Sequence, residues 1–119
     1  MDIEKFKAEW GELGTVFISG FQYFNDGSLV LHLTEDGNDR KLRHRILCTG
    51  VLGFHDRGLV GKEVTYFDIN ELAGVKYWFY AQQVGLYPKD YIELVLTDGL
   101  HYDKRELIIA CKDAFIDNR

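Results

Sequence analysis

The chain has 119 residues, 46% of them hydrophobic, and a formal charge of −5. That length suits one domain with one core, and no stretch reaches the roughly 18 consecutive apolar residues that a membrane span needs. Both halves of the chain are net acidic, which argues against phosphate contacts and so against nucleic acid as a partner.

The amino-terminal MDIEKFKAEW has no uninterrupted apolar stretch and does not read as a secretory leader. Within it, Ile3, Phe6, Trp10 and Leu13 follow helical spacing and share one stripe. Asp2 is placed to cap this helix and Gly14 to end it. With about three turns, the helix needs a platform to pack on, and the expected platform is a sheet. Trp10 is expected to be buried there.

From Thr15 the period changes to two, and β-branched and aromatic residues dominate TVFISGFQYF and SLVLHLT. Asn25-Asp26-Gly27 between them permits two hairpin registers. A three-residue loop with Gly27 left-handed pairs Tyr23 with Leu29 and Phe21 with Leu31, leaving Ser19 beside Leu33, and it gives the more continuous apolar face. The turn cluster at 35–39 then feeds RKLRHRILC, where Leu42, His44, Ile46 and Cys48 alternate with Lys41, Arg43, Arg45 and Leu47. The first set is expected to face the core and the second water.

Residues 50–61 carry four glycines and read as a loop or irregular edge, followed by a strand at EVTYFDI. Residues 75–83 fit a strand, with a helix as the alternative. In YIELVL, Ile92, Leu94 and Leu96 point inward. Asp98-Gly99 turns the chain into 105–116, read as a closing strand with Leu107, Ile109 and Cys111 on one face, or as a terminal helix. The fold predicted is α+β and mostly β: a twisted antiparallel sheet or half-barrel of about six to seven strands, with the amino-terminal helix packed on it, in a single domain over 1–119.

Candidate chemistry is sparse. His32 and His44 fall near each other across the second hairpin, yet two imidazoles without a third ligand do not make a zinc site, so neither metal nor cofactor is expected. His55-Asp56 lies in the glycine-rich loop and could supply a general base, but no nucleophile, phosphate-loop, dinucleotide or zinc-protease motif accompanies it. Lys41, Arg43 and Arg45 read as a solvated strand face. Cys48 and Cys111 form no CxxC pair and read as buried thiols of a reducing, cytoplasmic setting, with a disulfide between them as the alternative. The run Tyr77-Trp78-Phe79-Tyr80 exceeds what one sheet face can bury, so Trp78 and Tyr80 are candidate anchors for a partner.

FISGFQYF, a turn, LVLHLTEDG, then RILCTGVLGFHDRG and ELIIACKDAFI resemble, in layout over about residues 15–116, small β-rich bacterial immunity proteins found beside secreted toxins. The resemblance implies a cytoplasmic protein that binds and blocks a toxin domain without catalysis. On this reading the chain is a non-enzymatic binder of a protein partner, a basic toxin domain, with Asp56, Asp68 and Glu71 steering the encounter and Trp78 and Tyr80 holding it. The competing expectation is a small-ligand-binding protein or small enzyme with a pocket near His55 and the run 77–80.

Overall fold

Residues 2–35, 44–70, 91–99 and 105–118 are described by a computed structural model of the chain. The segment 75–83, the basic residues Lys41 and Arg43, and three of the five partner-binding candidates, Glu71, Trp78 and Tyr80, lie outside the described residues.

The helical stripe forms α1, Ile3–Glu12. The Asp2 carboxylate accepts the Lys5 N–H at 3.0 Å, satisfying one of the unpaired donors of the first turn. Gly14, at φ 73°, turns the chain out of the helix. Phe6 is buried and stacks on Phe67. Trp10 also stacks on Phe67, with centroids 4.4 Å apart, but it stays half-exposed. The stripe packs on the core as expected, with Phe6 buried but Trp10 only partly so, because α1 meets the strands Tyr66–Asn70 and Asp113–Asn118, each last in the order of its sheet among the described residues.

Among the described residues eight strands follow where six or seven were expected, and they form two sheets instead of one. The first sheet holds β1 (Phe17–Tyr23), β2 (Leu29–Thr34), β3 (His44–Thr49) and β8 (Asp113–Asn118), in the order β1-β2-β3-β8. The second holds β4 (Gly53–Asp56), β5 (Tyr66–Asn70), β6 (Ile92–Asp98) and β7 (Arg105–Cys111), in the order β4-β7-β6-β5. Every pairing is antiparallel. Among the described residues the arrangement stays open and does not close into a barrel.

The first hairpin has the expected three-residue loop: Tyr23 pairs with Leu29, Phe21 with Leu31, and Gly27 sits at φ 85°. Farther along, the register slips between Ile18 and Gly20. Ser19 is extruded as a bulge, donating its hydroxyl to the His32 carbonyl at 3.1 Å, and Ile18, not Ser19, stands opposite Leu33. The bulge changes parity, so Val16 and Ile18 fill the core where strict alternation would have put a serine.

Residues 50–61, read as a loop or irregular edge, contain β4, which lies at the edge of the second sheet beside β7. The segment 105–116 is neither a helix nor one strand. Only Lys112 separates β7 from β8, and the two belong to different sheets. β3 and β4 make the same transfer opposite them, so 44–56 and 105–118 form one long ribbon bent between the sheets. At the bend Lys112 N–H donates to Thr49 at 3.0 Å and Leu52 N–H to Ala110 at 2.8 Å. Three residues on one strand, 50–52, face two on the other, and Gly50 absorbs the excess at φ 59°.

The inner faces of both sheets share one core. Leu29, Leu31, Leu33, Ile46 and Cys48 from the first sheet meet Leu94, Leu96, Leu107, Ile109 and Cys111 from the second. Leu59, in the connection after β4, is fully buried among them. That connection is stitched to the start of β1 by Gly61 N–H to Ile18 at 2.6 Å and Val64 N–H to Val16 at 2.9 Å.

Candidate interaction site

Strand alternation separates the residues that sequence proximity had put together. His32 pairs with Arg45 and His44 with Leu33, so the two histidines lie on opposite faces of the first sheet and cannot share a ligand. His55 and Asp56 are consecutive in β4 and point to opposite faces as well. His55 shares its face with Ile108. The Asp56 carboxylate is engaged locally, accepting the N–H groups of Gly58 and Leu59 at 3.1 and 3.2 Å, which fixes the turn that delivers Leu59 to the core. Among the described residues no group of three or more His, Cys, Asp or Glu side chains is arranged to hold a metal ion.

Asp68, the remaining described candidate, lies on β5 opposite Val95, on the outer face of the second sheet. Glu93 and Glu106 stand on the same face one and two strands away. Burial pushes the Glu93 carboxyl above its usual range, and the charges of Asp68 and Glu106 push the same way. Arg57 reaches Glu106 at 3.3 Å. Three carboxylates on one sheet face, partly balanced by one guanidinium, make a local negative field around Asp68.

Both cysteines are free and buried. They meet across the interior near the bend of the ribbon, where the Cys111 thiol, followed by burial, holds the Cys48 thiol well above its ordinary range. A thiol kept protonated in this way is a poor nucleophile.

Two surface features were not anticipated. At the first, edge strand β1 approaches edge strand β4: Phe21 meets Phe54 edge-on at 5.4 Å and Tyr23 meets it at 5.5 Å. Tyr23 is 54% exposed and Phe24, next to it at the hairpin end, 42%. Asp26 sits at the hairpin tip, its carboxylate held below the usual range by the Ser28 hydroxyl at 2.6 Å and the Ser28 N–H. The available signal was the aromatic surplus of FQYF at a strand end, where neighbouring strands no longer cover the rings.

The second feature is a groove of about 290 Å³ between α1 and β8, lined by Asp2, Lys5, Phe6, Glu9 and the β8 residues Ala114, Phe115 and Ile116. Phe115 is 54% exposed. The groove runs beside β8, which among the described residues is last in the strand order of the first sheet. It is remote in the fold from His55, on the opposite edge strand of the other sheet.

No helix of the described residues is long and apolar enough to cross a membrane. No protein-family model, curated protein or solved structure matches this chain.

Proposed function

We propose that the protein acts by binding and not by catalysis, as an immunity-type inhibitor that covers a basic toxin domain inside a bacterial cell. The observation that supports this most is the aromatic ledge at the β1–β4 seam, where Tyr23 packs on Phe54 yet stays exposed, with Phe24 exposed beside it. Rings held rigid on one side and bare on the other are the side chains that most often anchor protein complexes. The −5 charge and the carboxylates around Asp68 favour a basic partner and a fast encounter. The reading of a pocket beside His55 has less support, because the described concavity lies elsewhere, between α1 and β8.

The test is co-purification with the product of the neighbouring gene, followed by binding kinetics. Tyr23→Ala should raise the dissociation rate by roughly tenfold, the scale of a lost aromatic anchor. Trp78→Ala and Tyr80→Ala belong in the same series. Neutralising Asp56, Asp68 and Glu71 together should lower the association rate and flatten its salt dependence. Turnover of a small molecule by the purified protein, or a tight complex indifferent to all these changes, would remove the proposal.

A further inference from the structure

The chain's two cysteines come one from each sheet. Cys48 lies in β3, between its ladder partners Leu29 and Ala114, and Cys111 ends β7, opposite Ile92. The bend of the ribbon brings them together. The residues that follow them, Thr49 and Lys112, are joined by the Lys112 N–H donating to the Thr49 carbonyl at 3.0 Å. One step back along each strand, alternation turns both cysteines inward, Cys48 in line with Ile46 and Cys111 with Ile109. Neither exposes any surface, and the two side chains meet as hydrogen-bonding neighbours.

Across the core the sheets meet through apolar side chains, and a bond between these two sulfurs would tie β3 to β7 directly. Burial makes that bond conditional. A thiolate is the reactive form, and the interior keeps the Cys48 thiol protonated, so an oxidant gains access only when the bend opens. Two hydrogen bonds close it, from Lys112 to Thr49 and from Leu52 to Ala110.

We propose that Cys48 and Cys111 form an oxidisable pair, which a small disulfide of the glutathione type converts to a protein disulfide fastening the two sheets at the bend. In the opened form one cysteine gives its proton to water, and its thiolate attacks a sulfur of the small disulfide. A mixed disulfide forms and one small thiolate leaves, taking up a proton. On closing, the second cysteine loses its proton and attacks the protein sulfur of the mixed disulfide, expelling the other small thiolate, which is protonated in turn. Two protein thiols are thereby oxidised and one small disulfide is reduced to two thiols, carrying away both electrons. The modification is independent of any partner and so goes beyond the binding role.

The experiment exposes the native protein to oxidised glutathione and follows intact mass, thiol titre and melting. The mass should fall by two hydrogens, both thiols should vanish, and the peptides containing Cys48 and Cys111 should emerge linked, all reversed by a dithiol reductant. The linked protein should melt on the order of 10 °C higher, because the bond closes a loop of about 60 residues in the unfolded chain. The Lys112 and Leu52 amides should exchange roughly tenfold more slowly, since opening at the bend is what the bond opposes. Cys48→Ala and Cys111→Ala should acquire at most one glutathione and show neither change. Wild-type protein that stops at the mixed disulfide, links two chains together or keeps both thiols through overnight exposure would overturn the proposal. So would an internal disulfide that leaves melting and exchange at the bend as they were. These wild-type outcomes decide the matter even if a variant fails to fold.

Discussion

Where β5 and β8 come together, α1 packs on both strands and lays Phe6 and Trp10 against Phe67. Where β1 comes up to β4, the described residues offer only Phe21 and Tyr23 against Phe54, with no helix above them. Both seams are lined by aromatic rings, but the first is roofed and the second is bare. The comparison separates two uses of the same residue type. Rings under α1 withdraw area from water and stabilise the fold, whereas Tyr23 and Phe24 leave that area exposed and available to a partner.

The sharpest way to break this comparison is to empty the roofed seam. Phe6→Ala should destabilise the protein by about 3–5 kcal/mol in guanidinium unfolding, as for other buried aromatic truncations, while Trp10→Ala, half-exposed, should lose roughly half as much. A larger loss at Trp10 than at Phe6 would mean that α1 sits deeper than described. Next in size is Gly50→Ala, at the bend that holds both seams at their spacing. Its left-handed backbone disfavours a Cβ by about 1–2 kcal/mol, and the new atom would lie 3.0 Å from Lys112 Cγ, a contact the flexible lysine can relieve. The same unfolding experiment reads it.

At the bare seam, Tyr23→Ala should change stability by less than about 1 kcal/mol, in line with exposed positions, while its effect on a complex is confined to faster partner release. A loss there as large as at Phe6 would turn the ledge into a structural element. Glu93, on neither seam, is the control and should act in the opposite direction. Its raised folded-state pKa means that native structure favours the protonated acid, so its contribution is fully present below the ordinary glutamate range and lost as pH rises through the raised value. Glu93→Gln should therefore stabilise at neutral pH, by less than about 1 kcal/mol because solvent screens a half-exposed carboxylate, and the gain should disappear near about pH 4. Thermal melts at two pH values decide it.

What could be read from the sequence was local. Asn25-Asp26-Gly27 demands a left-handed residue, and once Gly27 takes that role, Tyr23 must face Leu29. The helix was similarly legible from Asp2, the apolar stripe and Gly14. The bulge at Ser19 was not, because it depends on the later segment 61–64 arriving to bond Val16 and Ile18. β4 was hidden by its flanking glycines and exists because β7 offers it an edge. The division into two sheets left one trace: Cys111 and Ala114 are both buried though three residues apart, a spacing that no single strand keeps. Of the candidate residues, Asp56 carried a readable warning, since Asp-x-Gly is a common side-chain-capped turn. Asp68 falls where its neighbours make a negative field, but the carboxylates that create it, Glu93 and Glu106, are brought near only by strand pairing. The bare ledge escaped notice because alternation says which face a ring occupies and not whether anything covers it.

The seating of α1 on β8 also sets a timetable for the chain. β6 and β7 are close in sequence and can pair early, but β8 pairs with β3, whose residues lie 64–74 positions upstream of their partners, and α1 finds its strand about a hundred residues after it has been made. Such long loops must close before their contacts repay the lost chain entropy. During synthesis the apolar stripe of α1 therefore waits, without its final support, until Asp113–Asn118 leaves the ribosome. Nascent chains stalled after Lys112 should leave the α1 amides open to hydrogen exchange, and chains carrying β8 should protect them in a single step.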